Sequence, residues 1–598
     1  AYFYYSNQQN QYFQEQRKRV EDSLAKLKPV IPVKKDTTQV IANNGVDSLT
    51  PIAAEGVLST ANIGKEKFTT IENNLFKATF SNKGGIVYAV ELKNYKTPNG
   101  KKVVLGANKD NALGYVVNTS ATQAMPTDKL FFAEPTITMQ PDSSQLITYT
   151  LQSPEGKQII HTYTVYKDNY AIDWKIGLKG IATLVNNQTL NFSWKWQTEQ
   201  VEPSNIYERQ MSNICFSEDG SFDYISSNTD HTFESKGQWI GVVQQFFNTT
   251  VIAKNAFESG AKISWQRATD DSSTLLAKSD INFQVKLNNT NEAEVPMQLF
   301  FGPNEYQILK TQAAGMDKIV NLGRDIYSFV RPINMYIIMP VFNFLGNIIH
   351  NMGWAIMLLT IFIRVITSPL MYSSYVSGAK MKVLKPEMDG LKKKFGDDQQ
   401  GFAMEQMKLF REAGVNPAAG CIPALLQIPI FFALYSFFNS NIDLRGVPFL
   451  WSDDLSSYDV IAKLPFSIPL NFGDHISLFT ITAVITSFAI SIYNMGNTPT
   501  QDNPAIKYMP YIFPFLMLFF FNRLPSALTW YYTVSNTITL ILQFVIQKYI
   551  IDHDKIMAKI QATRANPKKK TKSKWQERYE QVLESQRKVQ EMKKKVNK

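Results

Sequence analysis

Five apolar runs follow one another in the second half of this chain: Gly353 to Ala379, Cys421 to Phe438, Ile476 to Tyr493, Tyr508 to Phe521 and Ala527 to Ile546. A helix of about 20 apolar residues crosses a hydrocarbon core about 30 Å thick, so these runs predict an α-helical membrane domain of five spans. None of them contains an acidic residue, yet the first holds Arg364. At about 1.5 Å per residue, Arg364 lies roughly 16 Å beyond Gly353, close to the bilayer centre. A central Arg costs about 2.5 to 3.5 kcal/mol on insertion scales, and so points to a water-filled cavity or a functional charge. Snorkelling to the headgroups is the bland alternative, which Ile366 to Met371 weaken by continuing the apolar stretch past the charge.

Composition divides the rest. The chain has 598 residues, a formal charge of +11 and a mean hydropathy of -0.19. That mean averages a polar half, roughly residues 6 to 320, with the apolar half that follows. The only cysteines, Cys215 and Cys421, fall one in each half; this predicts neither a disulfide nor a cysteine metal cluster, and no cofactor is expected.

The aromatic knot Tyr2 to Tyr5 fits the water interface of a membrane segment, so an N-terminal anchor, which would be a sixth span, is expected ahead of it. Residues 1 to 60 read as a tether with at most one helix, near Gln11 to Leu27. From about Lys65 to Tyr306 short strands alternate with turn residues. Ile159, His161, Tyr163 and Val165 share one strand face, with Thr162 and Thr164 on the other. Further strands are expected at Ala171 to Leu178, Leu190 to Trp196, Ile240 to Phe247 and Val295 to Phe301. Gly84-Gly85 and Asn99-Gly100 supply hairpin turns. Residues 61 to 320 thus predict a large antiparallel β-sandwich. His161 and His231 are its only histidines, and neither a nucleophile elbow nor a phosphate loop is present, so it predicts no enzyme.

Arg331 to His350 joins the halves. Asn343, Asn347 and His350 share a face while apolar residues cover the remainder, which predicts an interfacial amphipathic helix; a complete span is the alternative. Residues 351 to 550 form the membrane domain. Lys380 to Asn416 predicts a charged helical hairpin, with Met381, Leu384, Met388, Leu391 and Phe395 on one helix and Met404, Met407 and Phe410 on the other. These faces either seal against each other or offer an adaptable apolar surface. The hairpin carries eight Lys or Arg, the loop Asn439 to Leu470 only Arg445 and Lys463, and the tail 551 to 598 fifteen Lys or Arg against six acidic residues. The positive-inside rule makes hairpin and tail cytoplasmic and puts the β domain outside. The tail also suits anionic lipid or RNA phosphates.

The stretches Gly353-Trp354, Thr360-Ile-Phe-Ile-Arg364 and Pro369-Leu370 open a series of motifs. Gly396-Asp397-Asp398, Val415-Asn-Pro-Ala-Ala-Gly-Cys-Ile-Pro423, Gln427-Ile-Pro429-Ile-Phe-Phe-Ala-Leu-Tyr435 and Trp530-Tyr-Tyr-Thr-Val-Ser-Asn536 follow in order. Together they resemble the YidC/Oxa/Alb membrane protein insertases over about residues 331 to 550. The outer β domain is similar to that of the Gram-negative YidC branch, where it is a supersandwich. The resemblance implies an inner-membrane protein whose spans enclose a hydrophilic groove, with Arg364, Thr360, Gln427, Tyr532 and Asn536 lining it. It further implies insertion and chaperoning of nascent membrane proteins, alone or with the Sec translocon, by a monomer that contacts anionic lipids. Ribosome binding would fall to the tail, although its length departs from the short-tailed members. A transporter or an envelope-tethered binding module is the alternative class.

Overall fold

Alternate burial along Gln158–Val165 turns His161 and Tyr163 inward and Thr162 and Thr164 outward. The period of two is what one buried sheet face requires. The computed structural model describes Leu58 and residues 61–565, except 120–122, 154–155, 181–183, 288–291, 397, 416–421, 470–471 and 496–503. The expected tether, anchor and basic tail beyond residue 565 lie outside the described residues.

The strands between Phe68 and Pro303 form antiparallel sheets of four, nine and six strands. In the nine-stranded sheet Ala171–Lys179 pairs with both Gln158–Val165 and Glu292–Pro303. The six-stranded sheet is built around Thr189–Glu199 and Leu275–Lys286. These two sheets face each other: the Trp174 and Phe192 rings meet edge to face at 6.1 Å. Trp174, Trp194, Trp239 and Trp265 are all fully buried, and burying each large side chain stabilises the fold by roughly 1.5 to 3 kcal/mol. Asn99-Gly100 makes the expected turn, with Gly100 at φ +77. The stretch Ile240 to Phe247 is not one strand. Gly237–Val243 ends, Gln244 N–H donates to the Phe247 carbonyl, and Phe247–Phe257 returns antiparallel.

His161 is a structural histidine. Its Nδ1 lies 3.0 Å from the Gly85 carbonyl and its Nε2 2.8 Å from the Tyr115 hydroxyl. That geometry assigns the proton to Nδ1 and lets Tyr115 donate to Nε2. Gly85 has φ +57, and a Cβ there would stand 3.2 Å from His161 Nδ1, so this turn admits little besides glycine.

Helices are numbered α1 (Asn205–Met211), α2 (Tyr306–Gln312), α3 (Asp325–Ile349), α4 (Met352–Val383), α5 (Lys385–Phe395) and α6 (Gln399–Glu412). Then come α7 (Ile422–Ser440), α8 (Leu478–Met495), α9 (Pro504–Phe521), α10 (Ser526–Val545) and α11 (His553–Ala565). Among the described residues α3 and α4 are long and apolar enough to cross a membrane. α3 contains a π turn at Asn334–Ile338 and ends at His350, whose φ is +56. Asn343 and Asn347 are exposed as the sequence predicts, but Phe344 and Ile348 stand out beside them.

The helical hairpin departs from its predicted faces. α4 continues to Val383, so Met381 belongs to it rather than to the hairpin. Leu384, Met388, Leu409, Phe410 and Ala413 form a small core with Ile556 and Ile560 of α11. Met404 and Met407 are exposed. The helix rotates so that Leu409 and Phe410 meet α11, a partner the local pattern does not announce.

The loop between α7 and α8 and the β domain are docked. Arg445 Nε donates to Glu202 at 2.6 Å, both side chains being over nine-tenths buried. A further N–H of Arg445 reaches the Lys96 carbonyl at 2.8 Å. Glu208 lies beneath, accepting the Val201 and Glu202 backbone N–H groups at 2.9 Å each. Burial pushes the carboxyls of Glu202 and Glu208 up from the usual range, against the pull of Arg445.

Candidate functional site: a polar seam around Arg364

Arg364 lies in the middle third of α4, roughly 18 Å from its start at 1.5 Å per residue. It is half-buried and its Nε donates to Ser535 Oγ of α10 at 2.9 Å, with Nη2 on the same oxygen. Among the described residues no carboxylate pairs with it. A guanidinium cannot shed its proton in a protein, so the charge stays and water or a passing ligand must supply the rest of its solvation. Tyr375 of α4 and Tyr531 and Tyr532 of α10 lie within its electrostatic reach.

Gln427 of α7 faces the Tyr531 and Tyr532 hydroxyls. Its Nε2 and the Tyr531 hydroxyl are nevertheless buried without a well-formed hydrogen bond, and so is Gln543 Oε1. Unmet buried polar groups usually mean water or a ligand. Tyr532 itself is buried, its ring tilted against Phe431 and Phe521 at 6.1 and 5.1 Å. Arg364, Gln427 and Tyr532 thus lie near one another, from three different helices.

The other two expected groove residues do not join them. Thr360 is fully buried and donates to the Ile356 carbonyl of its own helix at 2.7 Å. Asn536 points to α8, donating to the Ala483 carbonyl at 3.2 Å and to Thr486 Oγ1 at 3.3 Å. One residue on a helix is a rotation of about 100°, and that step separates Ser535, which faces Arg364, from Asn536. Ser535 is not among the groove residues that the motifs single out. The missed signal is the spacing of Tyr531, Ser535, Thr539 and Gln543 at intervals of four, a polar row along one side of α10, and all four are buried.

Aromatic contacts fix the N-terminal ends of α4 and α10. Trp530 Nε1 donates to the Gly353 carbonyl at 3.0 Å. The Phe449 ring lies against Trp354 and Trp530, with centroids at 5.7 and 5.4 Å. A Cβ on Gly353 would lie 2.1 Å from that Phe449 ring, so the Gly-Trp motif is a close-approach site.

Apolar helices with a cation that has no carboxylate partner among the described residues, joined to a large β-sandwich, define the class as a helical membrane protein with a folded β domain. Residues 344–554 match the family described as 60Kd inner membrane protein, and residues 69–336 the YidC periplasmic domain. The membrane protein insertase YidC of Parabacteroides distasonis is 34% identical, over 97% of this chain and 95% of that relative. That of Amoebophilus asiaticus is 32% identical, over 92% of this chain and 93% of the relative. A crystal structure of an active YidC insertase with its first transmembrane domain resolved is 20% identical, covering 83% of this chain and 96% of that one at a TM-score of 0.33. The chain belongs to the YidC family of membrane protein insertases.

Proposed function

We propose that this protein inserts newly made inner-membrane proteins through a hydrophilic groove centred on Arg364. The observation that carries this reading is that the guanidinium's one hydrogen-bond partner among the described residues is the neutral Ser535, within a cluster of polar groups from α4, α7 and α10. Water and donor groups there shorten the apolar path for a short polar segment of the client, while the client's own apolar helix leaves sideways into lipid. Burial of that helix supplies the driving free energy, about 25 cal/mol per Å² of apolar area. Arg364 attracts acidic residues in the passing segment. No covalent chemistry is called for.

In this reading the hairpin and the basic tail are cytoplasmic and the β domain periplasmic, because Lys and Arg crowd the hairpin and tail. The segment Arg331 to His350 lies in the outer interface, which its exposed Asn343, Asn347, Phe344 and Ile348 suit. Nascent chains are the clients, with the Sec translocon and anionic lipids as partners and the ribosome through the tail; the working unit is a monomer. Insertion into proteoliposomes by Arg364→Lys, Arg364→Ala and Arg364→Glu tests the charge. Lys is expected to retain insertion of acidic-tailed clients and Glu to lose it. Equal insertion by the Glu variant would remove charge attraction from the mechanism, and solute flux through reconstituted protein would favour the transporter class instead.

A further inference from the structure

The loop between α7 and α8 carries an apolar surface on the same side as the β domain, to which Arg445 ties it. Its hairpin pairs Ala462–Ile468 with Gly473–Ile476. Val460, Ile461 and Phe466 are exposed, as are Leu450 and Trp451. From Val460 to Ile468 the sequence has one charge, Lys463, and no acid.

Contacts fix where this surface lies. The Ile461 N–H donates to the Ile476 carbonyl at 3.0 Å, two residues before α8 begins. Asp459 accepts the first backbone N–H groups of α8, from Leu478 at 2.7 Å and Phe479 at 3.2 Å, and also the Trp451 indole N–H at 3.1 Å. At the other end of the short strand, Phe472 packs on Phe519 at 5.8 Å, and Asn522 donates to the Phe472 and His475 carbonyls. Gly473–Ile476 thus runs across the outer end of α9 to the start of α8. A strand laid across the ends of two membrane helices is parallel to the bilayer surface. Asp474 and Tyr458 face the β domain's 203–211 segment across a shared cleft, which leaves Ala462–Ile468 as the free edge.

We propose that this hairpin is a foot in the outer leaflet interface, with Val460, Ile461 and Phe466 among the upper acyl chains, Trp451 at the headgroup level and Lys463 at lipid phosphates. The helix ends beneath it decide the occupant: Ile485 of α8 and Phe515 and Phe520 of α9 are exposed below the hairpin, and the medium such an apolar flank faces is lipid. Trp at an interface and a Lys reaching up to phosphate are the usual chemistry of such a position. The foot would hold the β domain at a fixed height over the membrane helices.

The test uses the full chain carrying Cys215→Ala and Cys421→Ala in nanodiscs of phosphatidylethanolamine and phosphatidylglycerol. Nitroxides are placed at Ile461→Cys and Phe466→Cys, with Met139→Cys as reference. Met139 is exposed in Thr136–Met139, which is the sheet edge opposite Ser221–Ile225, whose Phe222 and Tyr224 rings hold Arg324. Collision with oxygen should exceed collision with a water-soluble nickel chelate at 461 and 466, and the order should reverse at 139. A nickel preference at 461 and 466 would place the hairpin in water. Shielding from both reagents would mean that protein, from this chain or a second copy, covers it. Either result overturns the proposal, and retained insertion activity in the labelled proteins certifies their fold.

Discussion

Arg445 and Glu202, 243 residues apart in sequence, meet at 2.6 Å in a place water hardly reaches. The guanidinium also lies 5.0 Å from the centre of the Phe247 ring. Breaking such a pair strands a buried charge, which costs roughly 3 to 5 kcal/mol. Arg445→Ala should therefore destabilise the protein by that order, and Glu202→Gln by less, because burial already raises its carboxyl. Denaturant unfolding in nanodiscs, with hydrogen exchange over residues 201–208, measures both. Equal stability of Arg445→Ala and the parent would show that this contact does not dock the domain.

Stability should fall on acidification through His161. Burial pushes its protonation down to about 4 from 6.5. The folded state then binds fewer protons than the unfolded state between those values, so the contribution is complete above pH 6.5 and is lost as pH falls toward 4. At about 1.4 kcal/mol per pH unit the loss amounts to roughly 3 kcal/mol. Melting of the parent and of His161→Gln at pH 7 and pH 4.5 should show a smaller pH dependence in the variant.

Ser535→Ala removes the oxygen that accepts two N–H groups of Arg364. A hydrogen bond to a charged group contributes about 1.5 to 3 kcal/mol, so the guanidinium should lose its fixed place. Slower insertion of acidic-tailed clients is expected, with neutral-tailed clients less affected and Ser535→Thr restoring the parent rate. An equal loss for both client types would make Ser535 a packing residue only.

Gly353→Ala should destabilise the N-terminal end of α4. The added methyl meets Phe449, which is wedged between Trp354 and Trp530. Overpacking of this kind costs about 1 to 3 kcal/mol. Thermal melting in detergent measures it, and Phe449→Leu in the same chain should recover part of the loss.

Asn334 is fully buried, and its side-chain N–H groups donate to the Leu322 and Ala433 carbonyls at 2.9 Å each. Asn334→Leu removes both hydrogen bonds, while the Ala433 carbonyl keeps its helical N–H donor, so a loss of roughly 1 to 3 kcal/mol in all is expected. Unfolding of the parent and variant gives the difference, and a neutral result would mean that water replaces the amide.

Local pattern determined much of this molecule. Alternation placed the strands around Ile159 to Val165 and Ala171 to Leu178 because one sheet face must be dry, and the apolar runs beyond Gly353 marked where apolar helices form, of which α4 is long enough to span a bilayer. The motifs around Arg364 and Gln427 were legible for the same reason: a charge or an amide inside an apolar run is conspicuous. Tertiary structure alone decided how each helix turns about its axis. That rotation gave Arg364 to Ser535 and sent Asn536 to Ala483, closed Thr360 onto Ile356, and left Met404 and Met407 outside while Leu409 met α11. It also brought Arg445 to Glu202. A helix's rotation is set by all its neighbours at once, and those neighbours come from distant parts of the chain that no local period encodes.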